Sequence, residues 1–411
     1  MNCRFCSHEL SHVFVDLNDS PPSNSFLKLE DLNTVESKYP LKVYVCSKCF
    51  LVQLPEHKDA KEIFANDYVY FSSYSKSWLK HAEAYVEKMI PEFGIHSNSL
   101  VVEVASNDGY LLQYFKQRGI PVLGIEPTAN TAEVARGKGI ESRVDFFGVA
   151  LAEELVAEGR QADLLLGNNV LAHVPDINDF VAGLKILLKP NGLVTMEFPH
   201  LYQLVANNQF DTIYHEHFSY FSLMTVRDIF GHHGLTVFKV DALETHGGSI
   251  RIYAKHVQCE EWKMDDSVSD MILREKHVGM DGMSYYSGFQ ERMDRIIVDL
   301  LAFLNNAAQE GKSVVAYGAA AKGNTVLNYG KVGSDMIPFV ADASPHKQGK
   351  YLPGSRIPVL SEAALREKQP DYVLILPWNL KPEIEDQLAY IKDWGGQFVV
   401  AIPSLTVFNG E

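Results

Sequence analysis

Near-continuous apolar runs, separated by segments of helical periodicity, organise the chain from Ser99 onward. The first four runs read LVVEVA, PVLGIE, ADLLLGNN and GLVTMEFP, as expected for strands that are covered on both faces. Apolar residues at helical spacing lie between them, for example in Gly109–Arg118 and Phe180–Leu188. Two further runs, GLTVFKVD and SIRIYAKH, have no helix between them and predict an antiparallel hairpin. The pattern therefore predicts a doubly wound α/β domain.

A second, smaller α/β unit is predicted near the C-terminal end. Residues from about 257 to 310 are mainly polar and helical, and the strand–helix alternation then resumes with SVVAYGAAAKGNTVLNYG, PFVADAS, DYVLILPW and QFVVAIP. An amphipathic helix over Ser77–Phe93 precedes the first α/β domain. We expect three domains, with boundaries at 1–66, 67–257 and 258–411.

Two C-x-x-C pairs, Cys3/Cys6 and Cys46/Cys49, distinguish the N-terminal part. Each pair can chelate one side of a tetrahedral Zn²⁺ ion, and a site closed by four cysteines is typically structural. A redox C-x-x-C or unpaired thiols are the alternatives. The segment between the pairs is rich in Ser, Asn, Asp and Pro. We therefore expect little core there and a metal that organises it.

The net charge of the chain limits the kinds of ligand that we expect it to bind. The 52 acidic residues outnumber the 37 basic ones, which gives a formal charge of −15 and disfavours nucleic acid as a ligand. No run of about 18 apolar residues is present, and the N-terminus MNCRFCSHEL has no apolar signal region, so we expect a cytoplasmic protein without a membrane partner. The oligomeric state is not indicated, and a monomer is compatible with the sequence.

A polar loop follows the first strand of the large α/β domain. Ser106–Gly109 leads directly into a helix, where small residues and the helix N-terminus favour a polar or anionic ligand group. Glu126 ends the next strand and is placed to accept hydrogen bonds from ribose hydroxyls. NAD is the rival ligand, but Ala105 stands where a dinucleotide site normally has glycine. An ordinary βα turn with a helix cap is the other alternative.

Several motifs together resemble a known family. VEVASNDGYLL, GIEPT, NNVLAHVPD, DTIYHEHFSYFSL, HGGSIRIYAKH and YGAAAKGNTVLN are similar to the S-adenosylmethionine-dependent sugar C-methyltransferases, which act on nucleotide-linked deoxysugars. The resemblance covers nearly the whole chain. It implies an N-terminal zinc-binding domain, a seven-stranded class I methyltransferase core and a C-terminal Rossmann-like domain. The expected S-adenosylmethionine site comprises Glu103, Ala105, Ser106, Asn107, Asp108, Gly109, Glu126, Pro127, Asp145, Phe146, Asn168 and Asn169.

The stretch YHEHFSYFSL, which begins at Tyr214, is the candidate catalytic segment. Methylation of the carbon beside a sugar ketone needs a base and an oxyanion donor, roles that histidine and tyrosine suit. If the stretch is extended, Tyr214 and Glu216 face one way and His215 and His217 the other. A metal site formed by the two histidines is one alternative, and a purely structural histidine, expected of His215, is another.

The resemblance assigns roles around this segment. It implies that His217 is the base, that Tyr214 and Glu216 lie beside it, and that His173 and Tyr68 complete the catalytic site; Tyr70 is an alternative to Tyr68. It also implies a nucleotide-diphospho-sugar site near the loop Gly318–Gly323, although a βα turn built for packing is again possible. The expected substrate-binding residues are Ser249, Arg251, Lys322, Asn324, Lys347 and Lys350.

The expected activity is therefore base-catalysed C-methylation of a nucleotide-linked 4-keto-deoxysugar at C3. Methylation at C5, or at oxygen or nitrogen, is the nearest alternative. A zinc-ribbon binding module without enzymatic activity is the alternative from another class.

Overall fold

The computed structural model describes residues 1–59, 62 and 70–409. Its strands are β1 (His12–Ser20), β2 (Tyr39–Val45), β3 (Val52–Gln53), β4 (Val101–Val104), β5 (Val122–Ile125), β6 (Ser142–Arg143), β7 (Ala162–Asn168), β8 (Leu188–Pro199), β9 (Ser219–Tyr220), β10 (Leu235–Leu243), β11 (Ser249–His256), β12 (Val314–Tyr317), β13 (Val340–Ala341), β14 (Val359–Leu360), β15 (Tyr372–Ile375), β16 (Gln397–Val400) and β17 (Thr406–Phe408).

The α-helices of the same residues are α1 (Lys76–Phe93), α2 (Leu112–Gln117), α3 (Ala129–Gly137), α4 (Val149–Ala157), α5 (Ile177–Leu187), α6 (Leu201–Ala206), α7 (Leu223–His232), α8 (Asp266–His277), α9 (Phe289–Gln309), α10 (Ala321–Tyr329), α11 (Ala363–Lys368) and α12 (Lys381–Gln387). Within the described part of the chain, none of the helices combines the length and the apolar composition needed to span a bilayer.

The central sheet has seven strands in the order β10-β11-β8-β7-β4-β5-β6. Strands β8, β7, β4, β5 and β6 run parallel, and β11 is antiparallel to both β8 and β10. The predicted closing hairpin is therefore confirmed. Strand β4 is buried at every position, because helices cover both faces of the sheet. The chain order reverses between β4 and β7, which is where an open α/β sheet normally binds its ligand.

The C-terminal sheet has six strands in the order β14-β13-β12-β15-β16-β17. The first five are parallel, and the short edge strand β17 pairs antiparallel with β16. The predicted second, smaller open sheet is confirmed. Its first strand, β12, is followed by a tight turn into α10, so that this turn lies at the carboxyl edge of the sheet.

The N-terminal part contains an antiparallel sheet in the order β1-β2-β3-β9, which the sequence pattern did not predict. The expectation of little core there is wrong for these strands. Phe14 and Val43 are buried in a cluster shared with α9, and Phe14 stacks on Phe289 with ring centroids 4.6 Å apart. Polar turns in the sequence hid this core, because its apolar partners lie far away in the chain. Strand β9 comes from the middle of the chain and closes the sheet.

A buried carboxylate fixes the helix that follows the candidate catalytic segment. Glu275, on α8, accepts hydrogen bonds from the backbone N–H groups of Leu223 and Met224 at 2.5 and 2.9 Å. It also pairs with His200 at 2.7 Å. The first N–H groups of α7 have no partners within their own helix, so a side chain from another helix satisfies them. This contact holds the start of α7 against the rest of the protein.

Candidate active site

One large cavity, of about 580 Å³, lies at the carboxyl edge of the central sheet. All three parts of the chain contribute to its wall: Asn24 from the N-terminal part, Glu126 and His217 from the middle part, and Lys322 from the C-terminal part. Its position agrees with the reversal of strand order in the sheet. A cavity of this size can enclose a substrate and a cofactor fragment side by side.

The loop after β4 has the strained geometry that close backbone approach requires. Ala105, Asn107 and Gly109 all adopt left-handed backbone conformations, with φ of 57°, 49° and 73°. Ala105 replaces a usual glycine at some conformational cost, since residues other than glycine enter this region rarely. Glu126 stabilises the loop, because its Oε2 accepts the N–H of Asn107 at 2.8 Å.

The Glu126 carboxyl is anchored at the edge of the cavity. Its Oε1 accepts the backbone N–H of Thr128 at 2.8 Å. Burial raises the pKa of Glu126, and the hydrogen bonds from Thr128 and Asn107 oppose that rise. Each carboxylate oxygen can accept more than one hydrogen bond, so capacity remains for ribose hydroxyls.

The structure separates the expected cofactor residues into two groups. The group on the cavity wall consists of Ala105, Asn107, Glu126, Pro127, Asp145, Phe146, Asn168 and Asn169. The other group, Glu103, Ser106, Asp108 and Gly109, lies behind the wall. Asp108 pairs with Lys138 at 3.3 Å. Gly109 is needed for packing, because a Cβ there would lie 2.4 Å from Ile140 Cδ1.

Glu103 is a fully buried carboxyl behind the cavity wall, and the Tyr110 side chain lies beside it. Burial, together with the charges of Glu126 and Asp108, raises its pKa well above the ordinary value. A carboxyl whose pKa is raised in this way is displaced toward its neutral form, so Glu103 is not a counter-ion for a cationic ligand group. The loop after β4, with its left-handed residues, and the Glu126 carboxyl on the cavity wall fit S-adenosylmethionine, because they allow close backbone approach and offer an acceptor for hydroxyl groups.

The candidate catalytic segment is a turn and not a strand. The N–H of His217 donates to the carbonyl of Tyr214 at 2.9 Å, which closes a four-residue turn. The stretch is not extended, so the condition under which Tyr214 and His217 would face opposite ways is not met. The turn brings the Tyr214 hydroxyl within 2.8 Å of His217 Nε2. Both side chains line the cavity.

His217 is held as a neutral imidazole with a defined tautomer. Its Nδ1 lies 2.7 Å from the carbonyl of Thr212, which can only accept, so Nδ1 carries the proton and Nε2 has the lone pair. Burial, followed by the neighbouring His173, lowers the pKa of His217 well below its ordinary value. Burial also raises the pKa of Tyr214 well above its ordinary value. The arrangement is a phenol that donates to a free base.

His173 and Glu216 complete this end of the cavity. His173 Nδ1 donates to the backbone carbonyl of Glu216 at 2.8 Å, and its ring centroid lies 4.7 Å from that of His217. Burial lowers the pKa of His173 to about 4. Burial raises the pKa of the Glu216 carboxyl to about 7, while the hydrogen bond from Asn24 and the charge of Lys58 oppose that rise.

His215 points away from this group and contacts the carbonyl of Tyr39 at 3.2 Å. Over residues 1–59, 62 and 70–409, the cluster able to hold a metal is formed by the four cysteines, so no metal group containing His215 and His217 is present there. Tyr68 lies outside the described residues. Tyr70, the expected alternative, lines the cavity.

Two lysines mark the C-terminal side of the cavity. Lys322 Nζ donates to the Asn379 side-chain oxygen at 2.8 Å and lies 5.1 Å from the centre of the Trp378 ring. Lys347 Nζ donates to the carbonyl of Ala319 at 2.8 Å. Burial lowers the pKa of Lys322, and the charge of Asp211 opposes that shift. Both lysines lie near the start of α10, whose N–H groups favour an anion.

The other expected substrate residues are not on the cavity wall, and these placements correct the sequence-based expectation. Arg251 is buried in an ion pair with Glu197 at 2.5 Å. Ser249 donates to the carbonyl of Thr245 at 2.9 Å. Asn324 donates to the carbonyl of Ser23 at 2.6 Å, deep inside the protein. Lys350 is also absent from the wall.

The ion pair of Arg251 explains why its guanidinium is not available to bind a substrate. Burial alone would raise the pKa of Glu197, but the hydrogen bond from His81 and the charge of Arg251 lower it to about 2. Thr245 donates to the same carboxylate at 2.9 Å. Opposite charges this deeply buried must pair with each other. Arg251 therefore joins β11 to β8 behind the cavity wall.

His246 and Asn24 line the cavity but were not predicted from the sequence. His246 has a left-handed backbone, with φ of 54°, and burial lowers its pKa to about 4. The glycine pair that follows it in THGGSIR was the available sequence signal, and in the structure a Cβ on Gly247 would lie 2.3 Å from the Trp378 ring. No local pattern singles out Asn24, whose partner lies 192 positions later in the chain.

The four N-terminal cysteines converge as expected for zinc. The Sγ atoms of Cys3 and Cys49 are 3.6 Å apart, as are those of Cys6 and Cys46, and all four Sγ atoms lie within 4.8 Å of one another. Tetrahedral Zn–S bonds of about 2.3 Å place sulfur atoms about 3.8 Å apart. Gln53 Nε2 donates to Cys3 Sγ at 3.1 Å, an outer contact that orients the ligand.

The zinc cluster is joined directly to the catalytic turn. Strand β3 begins three residues after Cys49, and its Gln53 is the register partner of Ser219 in β9. The N–H of Leu54 donates to the carbonyl of Phe218 at 2.9 Å. The guanidinium of Arg4 lies 5.4 Å from the centre of the Phe218 ring. The residues after His217 are therefore held by the cysteine-bearing sheet.

Comparisons with known proteins cover the whole chain. Family models match residues 3–64 ("Putative zinc binding domain"), 78–240 ("Methyltransferase domain") and 244–403 ("C-methyltransferase C-terminal domain"). The chain is 36% identical over 409 residues to "C-methyltransferase NovU" of Streptomyces niveus, covering 100% of this chain and 97% of that protein. A ubiquinone biosynthesis O-methyltransferase of Chelativorans sp. (strain BNC1) is 32% identical over 95 residues, 23% of this chain and 38% of that protein.

Two solved structures each match less than half of the chain. Magnesium protoporphyrin IX methyltransferase from Synechocystis PCC 6803 with bound SAM gives a TM-score of 0.34 at 16% identity, covering 47% of this chain and 88% of that one. A SAM-dependent methyltransferase from Anabaena variabilis ATCC 29413 gives 0.36 at 15% identity, covering 43% and 85%. The class I methyltransferase fold rests on the family models and the strand order.

Replacing Cys46 with Ser is expected to remove the zinc and loosen the catalytic turn. Structural zinc sites contribute on the order of 10 kcal/mol to folding, and β3 depends on the turn that Cys46 begins. Elemental analysis should show one zinc per chain in the wild type and a large loss in the variant. Hydrogen exchange should accelerate in the peptide containing residues 214–221, while the peptides of β4 and β5 stay protected. Cys259→Ser is the matched control, and equal protection in both variants would contradict the coupling.

Replacing Glu126 with Ala is expected to weaken binding of S-adenosylmethionine by about 2–4 kcal/mol, since hydrogen bonds to a charged acceptor are lost. Calorimetry should therefore record a rise in Kd of roughly 30- to 1000-fold. Glu126→Gln keeps an acceptor for the loop N–H groups and should lose less. Glu133→Ala, an exposed change on α3, should bind as the wild type does. Unchanged affinity in Glu126→Ala would refute the ribose contact.

Proposed function

Because the chain belongs to the family of S-adenosylmethionine-dependent C-methyltransferases, we propose that its acceptor is a nucleotide-linked 4-keto-deoxysugar and that the methyl group is added at C3. The observation that carries this proposal is the hydrogen bond of 2.8 Å between Tyr214 and a neutral His217 on the wall of the cavity. A carbon acceptor beside a ketone needs a base and a proton path, and this pair supplies both.

Acidity at the acceptor carbon comes from the adjacent ketone, which takes the negative charge as an enolate. His217 Nε2 has the lone pair, so it receives the C3 proton, either directly or through the Tyr214 hydroxyl. In the relay, Tyr214 gives its proton to His217 and takes the substrate proton. The hydrogen bond of His217 Nδ1 to Thr212 keeps the ring in the tautomer that allows this transfer.

The same pair can stabilise the enolate oxygen. The buried Tyr214 remains a phenol, so it is a donor at neutral pH, and a buried donor acts strongly because water does not compete. S-adenosylmethionine supplies an electrophilic methyl on sulfur, and transfer to the enolate carbon forms a C–C bond as the S–C bond breaks. The remaining task of the protein is to hold the two reacting atoms in line.

The nucleotide part of the acceptor is proposed to lie against the C-terminal domain. Lys322 and Lys347 are cations on the cavity wall, and the start of α10 lies beside them. A diphosphate suits this combination of charge and backbone N–H groups. This placement puts the sugar between the lysines and the catalytic turn.

The sequence left several alternative activities open. The relative that matches the whole chain is a C-methyltransferase, so methylation at oxygen or nitrogen and a non-enzymatic zinc module are both set aside. Methylation at C5 stays an outcome of the experiment, because the hydrogen there is also beside the ketone of a 4-keto sugar. A panel of nucleotide-4-keto-deoxysugars with labelled S-adenosylmethionine, read by NMR, identifies the carbon that gains the methyl group.

His217→Asn is expected to abolish both methylation and proton exchange while leaving S-adenosylmethionine binding intact. Asparagine keeps the polarity of the position but has no basic nitrogen. In D₂O, with S-adenosylhomocysteine bound, the wild type should exchange the hydrogen on the acceptor carbon, and the variant should lose at least 100-fold in exchange rate, a typical contribution of a general base. His215→Asn is the matched control. Exchange near the wild-type rate in His217→Asn would move the base to His173 or Tyr214.

Lys322→Ala is expected to raise the KM of the sugar nucleotide by about 10-fold or more, with a smaller change in kcat. The lysine contacts a part of the substrate that does not react, so its loss removes binding that ground state and transition state share. Steady-state kinetics at saturating S-adenosylmethionine measure both constants. Lys368→Ala, on the outer surface of the same domain, is the control. A change in the KM of S-adenosylmethionine instead would assign Lys322 another role.

A further inference from the structure

The N-terminal segment Pro21–Leu27 follows β1 and lies along the C-terminal domain. Asn324 Nδ2 donates to the carbonyl of Ser23 at 2.6 Å. Leu27 and Tyr351 exchange two backbone hydrogen bonds of 2.9 Å each. The ammonium of Lys347 lies 5.8 Å from the centre of the Phe26 ring. These contacts fix the segment against the C-terminal domain, beside the cavity.

Asn24, between these anchors, reaches the catalytic turn. Its Nδ2 donates to Glu216 Oε1 at 2.6 Å, and both residues line the cavity. In the part of the chain that the structure describes, this is the hydrogen bond that the Glu216 carboxyl receives. The carbonyl oxygen of a protonated carboxyl is a better acceptor than its hydroxyl oxygen, so the amide N–H favours the proton on the other oxygen, Oε2.

We propose that Asn24 is a positioning residue of the acceptor site: it holds Glu216 Oε1, so that Oε2 is the oxygen that gains and loses the proton and is presented to the acceptor. The inference rests on the proposed function in one respect, since it takes this end of the cavity as the acceptor end. It gives the N-terminal part of the chain a role in the reaction in addition to holding zinc.

The charged and titratable groups around Glu216 determine in which direction its pKa should change when Asn24 is replaced. Lys58 faces the carboxyl from the N-terminal part, Tyr214 precedes it on the turn, and His173 donates to its backbone carbonyl. Burial raises the pKa of the carboxyl to about 7, and the Asn24 hydrogen bond opposes the rise. Loss of that donor removes a contact that favours the ionised form, so the titration midpoint moves to higher pH.

The experiment titrates Glu216 directly by ¹³C NMR of protein labelled at the glutamate side-chain carboxyl carbon. The signal that disappears in Glu216→Gln is assigned to this residue. In Asn24→Ala its midpoint should rise by about one pH unit, and in the isosteric Asn24→Asp, which places a second carboxyl beside it, by more. Asn33→Ala, an exposed change in the same N-terminal part, should leave the midpoint unchanged. A midpoint within about 0.2 unit of wild type in both Asn24 variants overturns the proposal.

A kinetic measurement adds a second readout once the sugar panel has identified the acceptor. Asn24→Ala should lower kcat about 10-fold or more while the KM of S-adenosylmethionine stays constant, and the limb of the pH profile that Glu216→Gln removes should move to higher pH. An unmoved limb overturns the proposal. If the panel yields no methylated sugar, the proposed acceptor is wrong, but the NMR titration still decides whether Asn24 controls Glu216, because it needs no acceptor.

Discussion

The pairing of β3 with β9 is the contact on which the catalytic arrangement depends. Two residues on each strand, Val52 with Tyr220 and Gln53 with Ser219, join the cysteine-bearing sheet to the residues that follow His217. The turn that contains His217 has little regular secondary structure, so its geometry depends on the contacts that hold its two ends. Glu275 fixes the later end through α7, and β3 fixes the segment between. The sheet that carries the four cysteines thereby helps to determine where His217 stands in the middle part of the chain.

Desolvation gives the cavity its chemical character. Burial lowers the pKa values of His173, His217 and His246, and it raises those of Tyr214 and Glu216. Every one of these groups is thereby displaced toward its neutral form. Around the catalytic turn, the cavity therefore presents neutral donors and acceptors. Lys322 and Lys347 lie at one end of the cavity and Glu126 at the other, so the two ends carry different ionisable groups.

The sequence predicted the two α/β sheets well because their strands are short apolar runs with helices between them, and such patterns are local. The strand tips that form the cavity, such as Glu126 and Asn168, follow from the same pattern. Arg251 was misplaced because its partner, Glu197, lies on a neighbouring strand, and pairing across a sheet leaves no local trace. The N-terminal sheet and Asn24 were missed for a similar reason: their partners are residues of distant segments. The residue types of the YHEH stretch indicated its chemistry. The alternating side-chain directions expected of an extended strand did not apply, because the stretch forms a turn.

The stacking of the N-terminal sheet on α9 has a consequence for the order in which the chain can fold. The N–H of Asp16 donates to the Gln290 side chain across 274 positions at 2.8 Å. At about 5–20 residues per second, a ribosome needs roughly 15–50 s to make the residues between them. During that interval the cysteine pairs are already outside, and zinc can close them long before their sheet has a hydrophobic partner. Zinc bound to the four cysteines would therefore be a link within the N-terminal part that does not wait for α9, whereas the packing of Phe14 on Phe289 does.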